Sequence, residues 1–277
     1  RSSFELRRAV AEGPVNVRSL WRQRSLLWQL VKREVAGRYK GSFLGVVWTL
    51  IQPLLMLAVY TFVFGMVFES RWQGASGSKL ELAAILFSGL LVFNLFAECV
   101  NRSPQLMLEN ANYVKRVVFP LGILPVVVMG YALFHAAMSI AVLSVFMILA
   151  LGSLPWTVVL LPLIFLPLVL LVLGVSWALS ALGVYFRDIQ HGIGVLVSAL
   201  LFLSPIFYPL SALPPAVQPY MFINPVAFII EQVRGAIIWG SVPDWGGLGL
   251  YTAISAFVAW LGFVLFERAR RGFADVL

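Results

Sequence analysis

Charge is the first property that this sequence lacks. Asp, Glu, Lys and Arg make up 12% of its 277 residues, whereas soluble proteins carry about 25%. Hydrophobic residues make up 61%, and the mean hydropathy is +0.92. A water-soluble core has no use for so much apolar surface, so the composition predicts an integral membrane protein. The single cysteine, Cys99, has no partner for an internal disulfide and excludes a cysteine metal cluster.

Motifs for self-contained chemistry are also missing. The sequence contains no G-x-x-x-x-G-K-[ST] phosphate loop, so ATP hydrolysis by this chain is not predicted. Its two histidines, His135 and His191, are far apart in the sequence, and its 12 acidic residues are scattered. Membrane enzymes gather such groups for proton transfer or metal binding. We therefore predict no catalytic residues, no metal site and no cofactor in this chain.

Long apolar runs, in contrast, fill most of the chain. A helix needs about 20 apolar residues to cross a hydrocarbon layer of about 30 Å. The runs predict six spans, at residues 43–68, 82–100, 120–151, 157–183, 192–207 and 245–266. The segment 208–244 is rich in proline near its start, which excludes a straight helix there. We expect it to form an outward-facing cap of re-entrant helices, a backbone tolerated at membrane depth only when it is buried in protein or lines a cavity.

The basic residues predict the orientation of these spans. With six spans, 17 of the 20 Lys and Arg residues lie on the cytoplasmic side, as the positive-inside rule requires. A seventh span at 225–239 would move the last three arginines outside and carry Glu231 and Arg234 into hydrocarbon. Six spans with both termini in the cytoplasm are therefore predicted. Because Glu231 and Arg234 are three residues apart, we expect a structural ion pair, with substrate contact as the alternative.

Residues 1–41 are predicted to form a cytoplasmic arm that precedes a transmembrane domain at 42–277. The arm holds ten of the Lys and Arg residues. Along 20–39, apolar residues share about one third of a helical wheel and most basic residues lie opposite, although Leu26 and Leu30 break the pattern. Such a pattern is typical of an amphipathic helix in the membrane interface, and a solvated cytoplasmic helix is the alternative.

Four motifs resemble those of the membrane subunits of ABC exporters for lipid-linked polysaccharide, a family that serves O-antigen, capsule and teichoic acid. They are Arg33–Trp48 running into Gln52-Pro53, Asn112–Pro120, Tyr185–Ile189 and Asn224-Pro225. They occur in matching order over nearly the whole chain. The sequence Tyr-Phe-Arg-Asp-Ile at 185–189 resembles the O-antigen and teichoic-acid branch more than the capsule branch.

This resemblance implies a six-span subunit of the bacterial inner membrane that works as a homodimer with two copies of a separate ATPase, which would bind ATP and Mg²⁺. The implied substrate is an O-antigen-like polysaccharide on undecaprenyl diphosphate, and nucleic acid is not an expected partner. The resemblance also implies an interfacial N-terminal helix in contact with membrane lipids. A cytoplasmic coupling helix between the second and third spans and re-entrant helices at the outer end are implied as well.

Candidate residues follow from what such a transporter must do. A lipid diphosphate requires cations at the cytoplasmic interface, a glycan requires aromatic faces and polar edges, and the ATPase must act through cytoplasmic segments. Arg38 is of special interest because it falls within the apolar arc of its helix and needs an anionic partner or a route to the interface. The candidates are Lys32, Arg33, Arg38 and Lys40 for the lipid phosphate, Trp48, Tyr60, Phe64, Phe93 and His135 for the glycan path, and Arg102, Glu109, Asn112, Lys115, Arg116, Arg187 and Asp188 for ATPase coupling.

Each group also has a simpler interpretation. The cations could serve only as interfacial anchors, and the aromatic residues could only pack. A neutral His135 could bond to a backbone carbonyl, while Arg187 and Asp188 could cap helix ends and pair locally.

Other functions fit parts of the sequence. An ABC exporter of capsular polysaccharide, drugs or small lipids would share the spans, but a drug or small-lipid exporter should lack the matches at Arg38–Trp48 and Tyr185–Ile189. A membrane-embedded glycolipid enzyme would require clustered acids at one membrane face. A passive channel leaves the long basic arm unexplained.

Overall fold

The computed structural model describes residues 24–63, 79–114 and 119–276, and the secondary structure in these ranges is helical, without a strand. Short 3₁₀ turns connect several of the helices. In chain order the α-helices are α1 (Arg24–Arg38), α2 (Trp48–Phe62), α3 (Lys79–Arg102), α4 (Leu106–Glu109), α5 (Ala111–Val114), α6 (Ile123–Phe146), α7 (Leu161–Tyr185), α8 (Ile189–Leu203), α9 (Ala227–Arg234), α10 (Trp245–Arg270) and α11 (Phe273–Val276).

Five helical segments in the described ranges are long and apolar enough to cross a membrane. They are Gly45–Phe62, Leu80–Glu109, Ile123–Leu151, Trp156–Tyr185 and Trp245–Arg270. Each overlaps one predicted span, while residues 64–68 of the first predicted span lie outside the described residues. The prediction of an all-α membrane protein is confirmed.

The remaining predicted span, 192–207, corresponds to α8, an apolar helix of 15 residues. At 1.5 Å per residue this helix is about 22 Å long, less than a hydrocarbon layer of about 30 Å. The helix ends at Leu203, and Ser204 after it is extended and precedes Pro205. The six-span topology therefore stays a prediction.

The segment 208–244 forms short helices instead of a span. Its α-helix, α9, has 8 residues and continues into a wider π-helical turn at Gly235–Trp239. Gly240 ends this turn with a φ of +65°, a conformation that glycine adopts without the steric cost of a Cβ atom. Helix and turn together reach about 20 Å, too short to cross a bilayer. Re-entry of this cap into the membrane stays a prediction.

Helix α3 lies at the centre of the bundle. In its most apolar stretch 78% of the residues are buried, against 17% in the corresponding stretches of α2 and α10. It contacts α2, α6, α7, α8 and α9. Because α3 is surrounded by protein while α2 and α10 expose most of their surface, polar groups on α3 indicate an internal site, not contact with lipid.

Helices α7 and α10 form the tightest pair in the bundle because small residues let their backbones meet. A Cβ atom on Gly262 would lie 2.0 Å from the carbonyl oxygen of Gly174. Beside this crossing, the rings of Trp177 and Phe263 meet edge to face with centroids 5.1 Å apart. Small residues at a crossing are a common means of packing membrane helices.

Helix α1 packs against α6. Leu30 and Val31 are buried against Ile123 and Val127, and a Cβ atom on Gly130 would lie 2.6 Å from Val31 Cγ2. Leu30, which lies outside the predicted apolar arc, is thus buried beside Val31, because a helical wheel cannot tell a face that meets another helix from one that meets lipid. The part of the predicted amphipathic helix before residue 24 lies outside the described residues.

The bundle has two opposite ends. Helices α3, α7 and α10 end where α2, α6 and α8 begin, and this basic end carries Arg38, Arg102, Arg187 and Arg270. The opposite cap end is formed by residues 205–244 together with the first turns of α3.

Candidate functional site

A cavity of about 540 Å³ lies between α2, α3 and α6, with the end of α1 at its mouth. This volume is in the range of about 300–1,000 Å³ that is typical of ligand sites. Each of the three helices contributes polar side chains to it, namely Gln52 and Tyr60 from α2, Asn94 and Glu98 from α3, and His135 from α6. We call this cavity the cleft.

Uncharged hydrogen-bonding groups line the inner part of the cleft. Asn94 is exposed, although the other residues between Leu82 and Phe96 on α3 are buried, and Gln52 of α2 is exposed as well. The Ser139 hydroxyl, also in the cleft wall, donates to the carbonyl oxygen of His135 at 3.0 Å. Because amides are costly to place in hydrocarbon, their position here indicates a space that takes up water or a polar ligand.

Charged groups form a network at the basic end of the cleft. Arg38 Nη2 pairs with Glu98 Oε1, and Arg38 Nε lies 3.8 Å from Glu34 Oε1. Arg102 Nη1 lies 2.7 Å from the same Glu34 oxygen, and Arg102 Nη2 lies 3.8 Å from Glu109 Oε2. These side chains are 24% to 47% exposed, and pairs of this kind contribute about 0.2–1 kcal/mol each. This arginine network therefore joins α1, α3 and α4 without locking them.

Arg38 also lies against the other wall of the cleft. Its guanidinium carbon is 4.4 Å from the centroid of the Tyr131 ring on α6, in cation–π geometry worth about 0.5–2 kcal/mol. Because Arg38 lies in the apolar arc of its helix, an anionic partner was expected for it, and Glu98 is that partner. Its role in binding a lipid phosphate stays a prediction, since its guanidinium is paired with carboxylates of the protein in this structure.

The other candidate phosphate ligands have separate partners. Lys32 Nζ lies 5.1 Å from the centroid of the Trp28 ring, which is 61% exposed. Arg33 Nη1 donates to the Tyr113 hydroxyl at 2.9 Å. Lys40 is exposed in the turn after α1. The structure does not gather the four cations into one site, and their common role stays a prediction.

Two of the five candidates for the glycan path, Tyr60 and His135, line the cleft. Trp48 begins α2 and is 37% exposed but lies outside the cleft lining, and Phe64 lies outside the described residues. Phe93 is corrected to a packing residue, because it is 3% exposed within the hydrophobic core. An aromatic side chain on a helix surrounded by other helices fills space between them.

Sequence reasoning missed Gln52, Asn94 and Ser139 because it searched the spans for charges and aromatic rings. An isolated amide in an apolar run could have revealed one of them, as in Leu-Leu-Val-Phe-Asn-Leu-Phe around Asn94. The same argument that makes an intramembrane charge a functional candidate applies, more weakly, to an amide.

The coupling segment was predicted at residues 101–116. Its described part begins in the last turn of α3 and continues as a chain of short helical turns, Ser103–Gln105 followed by α4 and α5. We call residues 103–114 the connector. Arg102, just before it, and Glu109 within it belong to the arginine network, while Asn112 is exposed. Lys115 and Arg116 lie outside the described residues.

The connector packs directly against α7. A Cβ atom on Gly183 would lie 2.0 Å from the carbonyl oxygen of Pro104, so no side chain fits between them. Just beyond the connector, the indole Nε1 of Trp177 donates to the carbonyl oxygen of Gly122 at 3.0 Å. The connector therefore cannot move toward α7 without displacing it.

Arg187 and Asp188 lie in the exposed turn between α7 and α8. Asp188 stands at the position before the first residue of α8, but its side chain makes no capping hydrogen bond. Within the described ranges no ion pair joins the two residues, and both are accessible at the basic end. Their role in coupling stays a prediction.

At the cap end, Arg234 is fully buried, with 0% of its surface exposed. It donates to the carbonyl oxygens of Ile85 at 3.2 Å and Ile206 at 2.8 Å, and to that of Pro205. Its Nη1 lies 2.9 Å from Glu231 Oε1, so the ion pair expected from the sequence spacing is present. Arg234 thereby ties α9 to the start of α3 and to the segment after α8.

The described ranges contain no group of three or more His, Cys, Asp or Glu residues placed to hold a metal ion. Cys99 is buried on α3, next to Glu98 of the arginine network. The cleft thus offers hydrogen bonds, an aromatic ring and paired charges, a set suited to binding a polar molecule.

Comparison with known proteins agrees with this architecture. Residues 25–238 match the family described as ABC-2 type transporter. The O-antigen export system permease protein RfbA of Myxococcus xanthus is 30% identical over 262 residues, which cover 94% of this chain and 98% of the relative. RfbA of Klebsiella pneumoniae is 27% identical over 91% of this chain and 95% of the relative. The polysialic acid transport protein KpsM of Escherichia coli is 23% identical over 96% of each chain. This chain belongs to the ABC-2 type transporter family of membrane proteins.

Proposed function

We propose that this chain is the transmembrane subunit of an ATP-driven exporter that moves lipid-linked polysaccharide across the bacterial inner membrane. The proposed substrate is an O-antigen-like chain on undecaprenyl diphosphate. Relatives named for O-antigen export align over more than nine tenths of the chain. The structural observation that supports the proposal is the cleft, because a hydroxyl-rich polymer requires polar groups where hydrocarbon would offer none.

The basic end is proposed to face the cytoplasm. Arg38, Arg102, Arg187 and Arg270 lie there, and cytoplasmic segments of membrane proteins are enriched in Lys and Arg. This orientation places the arginine network at the inner membrane surface, where a lipid diphosphate would approach. It also places the cap at the outer surface, where the polymer would leave.

A separate ATPase is proposed to drive transport, with two copies of each subunit in the complex. The sequence contains no phosphate loop of its own. The connector is the proposed contact, and Arg187 and Asp188 are a second one. Both are at the basic end, and Gln105 of the connector donates to Gln190 of α8, which brings the two segments together.

The connector can transmit movement to the cleft because it joins two of the cleft walls. It leaves α3 after Arg102 and leads into α6, while Pro104 bears on α7. Closure of the ATPase dimer against the connector would shift α3 relative to α6. The weak pairs of the arginine network would exchange as the walls move, and the cleft would open toward the other copy.

Capsular polysaccharide is a second candidate substrate. The observation that favours it is the alignment with KpsM over 96% of each chain. The identity to KpsM is 23%, against 30% for an O-antigen permease, which favours the first candidate.

Purification and ATP hydrolysis test the proposed function. The chain is expressed together with a candidate ATPase subunit from the same genome, purified, and assayed in nanodiscs with and without undecaprenyl-diphosphate-linked glycan. The proposal predicts a stable complex of two plus two subunits whose ATP hydrolysis responds to the glycan lipid. A chain that purifies without an ATPase, or that alters a lipid-linked sugar unaided, contradicts it.

A further inference from the structure

The five charges of the arginine network sum to one negative charge. Arg38, Arg102 and Glu98 line the cleft, and Glu34 and Glu109 pair with the two guanidinium groups from outside its lining. Protonation of His135, the cleft's histidine, would at most make the two signs equal. Each guanidinium is already paired with two carboxylates, so among the described residues neither arginine of the cleft lacks a counter-ion that an anionic sugar would supply.

Beyond the network, the described residues of the cleft wall carry no formal charge when His135 is neutral. Gln52 and Asn94 each present an amide with two donor hydrogens and an acceptor oxygen. A sugar hydroxyl is likewise both donor and acceptor, so amides match it without requiring charge. Tyr60 adds a ring face on which an apolar sugar face can stack. This inner wall suits a neutral hexose and gives a carboxylate no counter-ion.

Glu98 is the carboxylate with the greatest influence on this balance. It is the network's acid that itself lines the cleft, and it pairs with Arg38 at the mouth. A carboxylate on an entering sugar would meet the Glu98 carboxylate, and like charges at close range repel each other.

We propose that the cleft selects uncharged sugar units over acidic ones, and that Glu98 determines this selectivity. The inference rests on the proposed export function and narrows its substrate class to neutral polysaccharide. Replacing Glu98 with glutamine keeps the shape of the side chain but removes its charge. Arg38 then retains Glu34, 3.8 Å away, as its carboxylate partner, and the cleft mouth becomes more positive by one charge.

The experiment compares two probes of equal length on undecaprenyl diphosphate, one an oligomer of neutral hexose and the other the same oligomer with one unit replaced by a hexuronic acid. The complex with the ATPase is reconstituted in nanodiscs, and glycan-stimulated ATP hydrolysis is measured over a range of probe concentrations. For the unaltered protein we expect half-maximal stimulation at a concentration at least about tenfold lower with the neutral probe, a tenfold ratio being about 1.4 kcal/mol. Added salt should reduce the difference between the half-maximal concentrations of the two probes, because the repulsion is electrostatic.

In the Glu98→Gln variant, the ratio of the half-maximal concentrations of the two probes should fall at least about threefold, because the acidic probe should stimulate hydrolysis at a lower concentration. The matched control is Glu81→Gln, the same substitution near the cap end of the same helix, which should leave the ratio unchanged.

Equal responses to the two probes in the unaltered protein, or a preference for the acidic one, would overturn the selectivity and leave the export function standing. A lack of response to either probe would overturn the export function. The comparison in the unaltered protein does not depend on the folding of a variant. A Glu98→Gln variant that folds, responds to glycan and keeps the original ratio would remove Glu98 from the explanation.

Discussion

The two ends of this bundle use arginine in opposite ways. At the basic end, Arg38 and Arg102 are about one third and one quarter exposed, and each pairs with two carboxylates, of which Glu34 is shared. At the cap end, Arg234 is fully buried and donates to backbone carbonyls as well as to Glu231. Exposed ion pairs can exchange at little cost, whereas a buried arginine bonded to carbonyls cannot leave without stranding them. We infer that the cap end is fixed and that the basic end is built to move.

Removing the buried arginine should have the largest effect on stability. Arg234→Met leaves Glu231 without its buried partner and removes the donor to the carbonyls of Pro205 and Ile206 in the segment after α8. Loss of one partner from a buried pair costs about 3–5 kcal/mol. We expect a marked fall in the thermal unfolding midpoint in detergent, or no folded protein at all. The control Arg38→Met, at the basic end, should unfold close to the unaltered protein, and equal losses in both variants would contradict the comparison.

A smaller disturbance of the same site should come from Gly89. A Cβ atom at this position would lie 2.8 Å from Arg234 Nη2, closer than real contacts allow. Gly89→Ala is therefore expected to destabilise the protein by about 1–3 kcal/mol, although alanine is the better helix former. Gly192→Ala on α8 is the matched control, since nothing lies within 4 Å of its Cβ position. An unfolding midpoint for Gly89→Ala at or above that of the control would show that Arg234 is loosely held.

The contact between the connector and α7 should affect function more than stability. In Gly183→Ala the new Cβ would collide with the carbonyl of Pro104, which must move away. We expect a cost of about 1–3 kcal/mol in the free energy of unfolding together with loss of most of the glycan stimulation of ATP hydrolysis. Basal hydrolysis by the ATPase should persist. A variant that folds and keeps full stimulation would show that the connector does not act through α7.

The smallest change in stability is expected from the arginine network. Arg102→Met removes pairs to Glu34 and Glu109 that are partly exposed, so the free energy of unfolding should fall by about 0.2–1 kcal/mol, and by less at high salt. Chemical unfolding at low and high ionic strength measures this. A loss as large as that of Arg234→Met would mean that the basic end is as rigid as the cap end.

The features that could be predicted from the sequence are those that depend on residues close together in the chain. Apolar runs located the spanning helices, and a spacing of three residues predicted the pair of Glu231 and Arg234. The pairing of Arg38 with Glu98 could not be predicted in this way, since 60 residues separate them and only tertiary packing brings them together.

Burial was the other limit of the sequence. The periodicity of α1 does not show that Leu30 meets α6, and an aromatic residue such as Phe93 looks the same in the sequence whether it packs or lines a cavity. The amide of Asn94 indicates an internal site because its helix is buried on nearly every side, and this burial is not visible in the sequence. The identity of a polar residue is visible in the sequence, and its surroundings are not.

The most direct test of the account is whether the exported glycan touches the cleft. A photo-reactive amino acid is placed at Asn94 in the cleft, or at Leu54 on the outer surface of α2 as a control, and the reconstituted complex is illuminated with labelled lipid-linked glycan during ATP hydrolysis. The account predicts a glycan cross-link from position 94 that depends on ATP and far exceeds that from position 54. A glycan that cross-links equally at both positions, or at neither while it is being transported, would contradict a path through the cleft.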